Sequence, residues 1–168
     1  MLKLIVTGAL AAALPAAILP LPKHSAPNVK PLTACQLVTA AEVAGLLKVP
    51  AVHIDSISSG KNEMLNVDLC SWYVREGESE GVMLKLRRAP SSDKVPVAFI
   101  AAKIEPEFSE PAKPVSITGV GQEAVYVAYR DGQGGTIVFR QRLAVVTITG
   151  SPAKETLVGM AKAIVPRL

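Results

Sequence analysis

Two cysteines, Cys35 and Cys70, have the most definite chemistry in this chain of 168 residues. A metal site needs more ligands at a suitable spacing, and a nucleophilic cysteine needs a base, for which the domain offers only His53. An even number of cysteines in an exported chain instead predicts a disulfide. The bridge would join the first helix to a strand and would stabilise the fold by roughly 3–4 kcal/mol.

The other candidates for chemistry are isolated residues. His53 and Asp55 alternate on one face of a predicted strand and could bind a metal weakly, but no third ligand is evident. Gly119 and Gly121 lack the third glycine of a dinucleotide loop, and residues 132–135 lack the lysine of a phosphate-binding loop. We therefore expect no catalytic residues, no metal site and no cofactor.

A basic strand face, made of Arg75, Lys85 and Arg87, is the candidate surface for an anionic partner. Lys85 and Arg87 alternate with apolar residues along a predicted strand, and Arg75 could join them across a hairpin. Such a face would suit anionic headgroups or an acidic protein. An ordinary solvated face is the alternative.

Net charge and aromatic content argue against a nucleic acid partner. Without residues 1–26 the chain loses two lysines and no acid, which leaves 16 basic and 14 acidic side chains and a net charge of +2. This near balance gives little attraction for polyanions. Aromatic residues, at 4%, are too sparse to stack on bases.

Residues 1–26 have the features of a signal peptide. Lys3 precedes an almost wholly apolar run over residues 4–19, and the leader contains no acidic residue. A retained membrane anchor is the alternative, although prolines interrupt the run near the length of about 20 residues that a span needs. We expect an exported protein, periplasmic or extracellular, that contacts a membrane only through this leader if it is not cleaved. Residues 32–35 are similar to a lipid-acylation box, which leaves lipidation of Cys35 as the alternative to a disulfide.

The rest of the chain predicts one α+β domain. Residues 27–32 are a flexible lead-in, and residues 33–168 are long enough for a single core. Changes in the apolar period predict three helices, at 39–49, 91–104 and 151–165, and six strands, at 51–58, 67–75, 82–88, 123–130, 136–140 and 143–149. The predicted order is α-β-β-β-α-β-β-β-α, an antiparallel sheet with helices packed on it.

Local signals indicate where several elements begin. Thr39 and Glu42 form a capping box that starts the first helix. Residues 143–149 are apolar on both faces and therefore predict a central strand. Ser151 is predicted to cap the final helix, with Pro152 in its first turn.

Three segments together resemble known families. They are an early cysteine within residues 34–43, the triplet Cys70-Ser71-Trp72, and the run of residues 119–126 before a hairpin and a terminal helix. This pattern resembles families of small exported bacterial proteins and lipoproteins of unknown function, several of which are similar to the PsbP-like fold of photosystem II extrinsic proteins. The resemblance covers residues 33–168. It implies a fold and a compartment, and it implies no catalytic residues.

We therefore expect an exported, non-enzymatic domain that binds or assists something in the cell envelope. Its expected partner is an unidentified envelope protein or an anionic ligand. One alternative is a structural or assembly subunit of a larger envelope complex. The other is an enzyme with a site near His53 and Asp55.

Overall fold

Capping interactions position the helices at the start of the folded unit. Thr39 begins α2 (Ala40–Leu47) with the predicted capping box, which confirms that prediction. The Thr39 hydroxyl accepts the Glu42 N–H at 3.3 Å, and Glu42 Oε2 accepts the Thr39 N–H at 2.8 Å. The helix ends before Pro50 because Lys48 adopts a left-handed conformation, with φ of 58°. A four-residue helix that is absent from the predicted order, α1 (Ala34–Leu37), precedes α2.

The computed structural model describes residues 31–56, 58–62, 67–75, 81–88, 96–104, 113–129 and 132–168, in a folded unit from Pro31 to Leu168. The predicted leader, residues 1–26, lies outside the described residues. The described strands are β1 (His53–Ile54), β2 (Gly60–Asn62), β3 (Val67–Tyr73), β4 (Gly81–Arg88), β5 (Val115–Ser116), β6 (Glu123–Ala128), β7 (Gly135–Gln141) and β8 (Ala144–Gly150). The remaining helices are α3 (Val97–Ile104), α4 (Lys154–Ile164) and a 3-10 turn (Val165–Arg167).

The described strands form one antiparallel sheet in the order β1-β3-β4-β8-β7-β6-β5, and β2 pairs with β3 beside β1. Two hairpins, β3–β4 and β7–β8, meet at the centre, where Leu84 lies opposite Ile148. The position of β8 between β4 and β7 confirms the prediction of a central strand. The predicted class, α+β with an antiparallel sheet and helices packed on it, is also confirmed.

The predicted element order is wrong in detail, because each half of the chain contains one further strand. β2 lies between the predicted strands 51–58 and 67–75, where no element is predicted, and β5 lies just after a proline-rich segment. The strand predicted over 51–58 is reduced to the two residues of β1. These short edge strands pair through backbone groups, so their side chains carry little of the apolar alternation on which the prediction depended.

The two faces of the sheet pack on different helices. The first face carries Cys70, Trp72 and Leu84, all fully buried, and packs on α1, α2 and α4 to form the main core. The second face packs on α3, which lies against β6 and β7. The buried residues of this smaller cluster are Val97, Ala101, Val125, Val127, Val138 and Val145.

The final helix begins two residues later than predicted. Its N-cap is Ala153, which makes no side-chain capping bond, so the prediction that Ser151 caps the helix is wrong. The N–H groups of Thr156 and Leu157 both donate to the Ala153 carbonyl, which closes the first turn there. Pro152 therefore precedes the helix. The predicted apolar stripe of this helix is buried at Leu157, Met160, Ala161 and Ile164.

Candidate functional site

The predicted disulfide joins α1 to β3 on the first face of the sheet and is confirmed. Cys35 and Cys70 are bonded, with Cα atoms 5.1 Å apart. Beside the bridge, the Ala34 N–H donates to Asp68 Oδ2 at 2.9 Å. Cys70 is fully buried in the main core, so the bridge is structural. Because disulfides persist in oxidising compartments, the bridge indicates such a location.

His53 lies at the outer edge of the sheet, exposed on β1 and opposite Tyr73 of β3. The Asp55 carboxylate accepts a hydrogen bond from the Ser58 hydroxyl, and the Asp55 N–H donates to the Ser71 carbonyl at 2.9 Å. Asp55 thus fastens the loop after β1 onto β3. Within the described part of the chain, no three His, Cys, Asp or Glu side chains are grouped to hold a metal ion.

The strand register gathers three cations on the second face. Lys85 lies opposite Leu69, and Arg87 lies opposite Val145. Arg140 of β7 also lies opposite Val145. Arg87 and Arg140 therefore flank that valine, two strand spacings or about 10 Å apart. We call Lys85, Arg87 and Arg140 the basic cluster.

Arg75 lies beyond the paired residues of β3 and β4, so the register does not place it beside Lys85 and Arg87. The last residue pair of the hairpin is Tyr73 with Gly81, so Arg75 follows the end of β3. It is six residues along the chain from Leu69, the partner of Lys85. The extended part of this stretch, from Leu69 to Tyr73, spans about 13 Å, so it separates Arg75 from Lys85 along the hairpin.

The basic cluster lies beside the start of α3. Glu123, the cross-strand neighbour of Arg140, accepts the Val97 N–H at 3.1 Å and so positions the first turn of that helix. Arg87 and Arg140 are each engaged in interactions within the protein. Arg87 is exposed, whereas Lys85 and Arg140 are half-buried. The basic cluster is therefore a partly exposed group of positive charges, in which Arg87 and Arg140 are anchored by interactions within the protein.

A hollow of about 330 Å³ opens on the second face at the ends of β3, β4 and β8. Its floor includes the cross-strand row Ser71, Met83 and Thr149. Tyr73 of β3 and Tyr129, which follows β6, also line it; in the strand order, β3 and β6 lie on either side of β4 and β8. None of the described residues that line it carries a charge. We call this cavity the hydroxyl hollow.

Two residues that line the hollow, Ser71 and Trp72, have a buried side-chain polar atom without a hydrogen-bond partner in the described part of the chain. The Trp72 side chain belongs to the main core on the first face, so Ser71 is the one on the face of the hollow. Only 7% of Ser71 is exposed, and its Oγ has no hydrogen-bond partner among the described residues. Its backbone is fully used, since its N–H donates to Ser59 Oγ at 3.0 Å and its carbonyl accepts from Asp55. The neighbouring hydroxyls of Thr149 and Thr136 bond to each other at 3.1 Å. A buried hydroxyl without a partner costs about 1–3 kcal/mol, so a bound polar group would be stabilised at Ser71.

The sequence does not predict Ser71 as a site residue, and it does not predict that Arg140 joins the basic face of Lys85 and Arg87. Strand alternation was the available signal for Ser71, because it must point away from the face of Cys70 and Trp72. Its backbone groups bond to Asp55 and Ser59, which lie distant in sequence. For Arg140, the pairing of β4 with β8 is needed to place it near Arg87, and that pairing is a long-range contact.

Neither a membrane-spanning helix among the described residues nor a relative of the chain is found. Across the described ranges, no helix combines the length and apolar character needed to cross a membrane. No protein-family model, no curated protein and no solved structure matches the chain.

Proposed function

We propose that this chain is an exported, non-enzymatic binding module of the cell envelope, and that its basic cluster recognises an anionic partner. The observation that carries the proposal is that Lys85, Arg87 and Arg140 share one face of the sheet. They stand on β4 and β7, the neighbours of the central strand β8. The sheet therefore fixes the spacing of the three charges before any ligand arrives, which reduces the entropy lost on binding.

The expected attraction is electrostatic and shared among the three cations. Two unit charges 4 Å apart in water attract by only about 1 kcal/mol, so a single exposed contact would bind weakly. A partner with several anionic groups spaced over about 10 Å could contact all three. Salt screens such contacts over a Debye length of about 10 Å at 0.1 M, so this binding should weaken steeply as salt is added.

Three further features support the compartment and the class of this proposal. Residues 1–26 have the composition of a secretion leader, and the Cys35–Cys70 bridge suits an oxidising environment. His53 is exposed at a sheet edge, and Asp55 is used to fasten a loop, which favours a non-enzymatic role. We also infer kinship with the small exported proteins of PsbP-like fold, on the sequence pattern within residues 33–168.

Charge reversal at Lys85 tests the proposal. The mature oxidised protein is mixed with vesicles of phosphatidylglycerol, with vesicles of phosphatidylcholine, and with soluble polyphosphate, at low and at high salt. We expect the wild type to bind an anionic probe at low salt and Lys85→Glu to bind it at least tenfold more weakly. Lys162→Glu is the matched control, because Lys162 is exposed on α4, which packs on the first face.

The probes separate the possible anionic groups. Binding to phosphatidylglycerol alone identifies a lipid headgroup, and binding to polyphosphate as well identifies a general anion site. Lys85→Met serves as a second variant if the glutamate variant fails to fold. The proposal is refuted if the wild type binds none of the anionic probes, or if Lys85→Glu and Lys162→Glu bind them equally.

A further inference from the structure

We propose that the hydroxyl hollow is a second binding site, and that it takes a neutral saccharide unit. This site is separate from the basic cluster and does not depend on the anionic partner inferred above. The hollow lies around Ser71, Met83 and Thr149, whereas the cations begin at Lys85, two residue pairs further along the hairpin of β3 and β4.

The first step of the argument is the hydroxyl of Ser71. It is more than nine-tenths buried, it lines the hollow, and its Oγ has no partner among the described residues. The backbone N–H and carbonyl of Ser71 are already hydrogen-bonded, so Oγ is the one polar atom of this residue that still needs a partner. A ligand group that can both donate and accept a hydrogen bond meets that requirement in either orientation of the hydroxyl proton.

The second step is the chemistry of the walls. The lining residues include serines, Thr149 and two tyrosines, together with Met83, which is 41% exposed. Tyr73 and Tyr129 are the tyrosines of this lining. An ion would lose its hydration here without gaining a charged partner from the described lining, which disfavours anions and cations alike. A sugar ring carries hydroxyls at its rim and C–H groups on its faces. Such a ring can pair its hydroxyls with polar lining groups and its C–H faces with apolar ones, because each tyrosine has an apolar ring and a polar hydroxyl.

The third step is size. A volume of about 330 Å³ is at the small end of ligand pockets, which span about 300–1,000 Å³. The cavity therefore suits a short neutral saccharide better than a lipid chain. Its position at the ends of three strands holds the lining residues on rigid backbone, as ligand sites require.

The test is a titration of the mature oxidised protein with glucose, N-acetylglucosamine and maltose, followed by amide chemical shifts. We expect at least one sugar to give saturable shifts centred on Ser71, Met83 and Thr149. Ser71→Ala should weaken that binding about tenfold, the effect of one hydrogen bond of ordinary strength. Thermal stability of Ser71→Ala without sugar should be equal to or above that of the wild type, because the removed hydroxyl has no protein partner.

Two variants serve as controls. Ser116→Ala removes an exposed hydroxyl on β5, the far edge of the sheet, and should leave sugar binding unchanged. Met83→Trp fills the hollow from an exposed position and should abolish binding even if Ser71→Ala does not fold.

The outcomes distinguish this site from the basic cluster. Lys85→Glu should leave sugar binding intact, and Ser71→Ala should leave binding to anionic vesicles intact. The inference is overturned if no sugar gives saturable shifts, which would mean that water alone completes the hydrogen bonding of Ser71. It is equally overturned if Ser71→Ala and Met83→Trp both retain wild-type affinity, or if only charged sugars bind and Lys85→Glu abolishes that binding.

Discussion

Removal of the disulfide by the double replacement Cys35→Ala and Cys70→Ala should destabilise the fold by about 4 kcal/mol. The two cysteines are 35 residues apart. The chain-entropy relation for a closed loop of that length gives about 3.8 kcal/mol at 25 °C. For a unit of this size each kcal/mol corresponds to roughly 3–5 °C, so the thermal midpoint should fall by about 15 °C.

A second link between the same two elements separates loop closure from a local contact. The Ala34 N–H bonds to Asp68 Oδ2 at 2.9 Å, one residue before Cys35 on one element and two before Cys70 on the other. Asp68→Ala removes this link and leaves the covalent loop intact. It should therefore cost about 1.5–3 kcal/mol, as expected for one hydrogen bond to a charged group, which is less than the loss of the bridge.

Urea unfolding of the mature protein, with and without a reducing agent, measures both variants against the wild type. Reduction of the wild type should reproduce the double alanine variant, and the slope m should rise because the unfolded chain becomes less compact. A loss below 1 kcal/mol on reduction would refute the reasoning, since the bridge would then not restrict the unfolded chain. Thiol titration of the unreduced protein should find no free thiol, and two free thiols would refute the bridge itself.

Two further predictions concern the surface and the turns. The Arg167 guanidinium and the Thr39 N–H, both bonded to Glu42, lower the pKa of the Glu42 carboxyl from 4.5 to about 2. The stabilisation from this depressed pKa is present above about pH 4.5 and is lost as the pH falls toward 2. The gap in thermal midpoint between wild type and Glu42→Gln should therefore be present at pH 7 and close by pH 2, and a constant gap would contradict the assignment. Gly134→Ala should lower stability by more than 3 kcal/mol, because φ is +100° and a Cβ would overlap the last carbonyl of β8. Gly132→Ala has φ of +72° and open space around it, so it should cost only about 1 kcal/mol in urea unfolding, and equal losses would exclude the steric explanation.

Short-range patterns were sufficient to predict the elements with strong local chemistry. The capping box at Thr39 and Glu42 involves residues three apart, so the sequence contains all of its partners. β4 alternates buried and outward residues along its length, and the buried residues are Val82, Leu84 and Leu86. An element whose own residues supply its caps or its apolar face can be recognised without knowing its neighbours.

Elements that depend on a distant partner could not be predicted in this way. β2 is polar and exists because Gly60–Asn62 pairs with the first residues of β3. The same limit affected the candidate surface. Assigning Arg75 to the face of Lys85 required the hairpin register, and that register is fixed only by which residues on β3 and β4 are opposite each other.

The position of α3 explains why most residues of the two candidate sites lie on β3, β4 and β8, with Arg140 on β7 and Tyr129 after β6 as the exceptions. An eight-residue helix is about 12 Å long, whereas seven strands at about 4.8 Å spacing extend over roughly 29 Å. Helix α3 lies against β6 and β7, so it can bury only that half. One row of paired residues across the sheet shows the change from polar to apolar side chains. It runs from Lys85 on β4 through Thr147 on β8 to Val138 on β7 and Val125 on β6. The charged end of the row is half-buried, and its apolar end is packed under the helix. The polar side chains of β3 and β4 therefore lie where this helix does not reach, and a ligand of this domain should approach the sheet from that side.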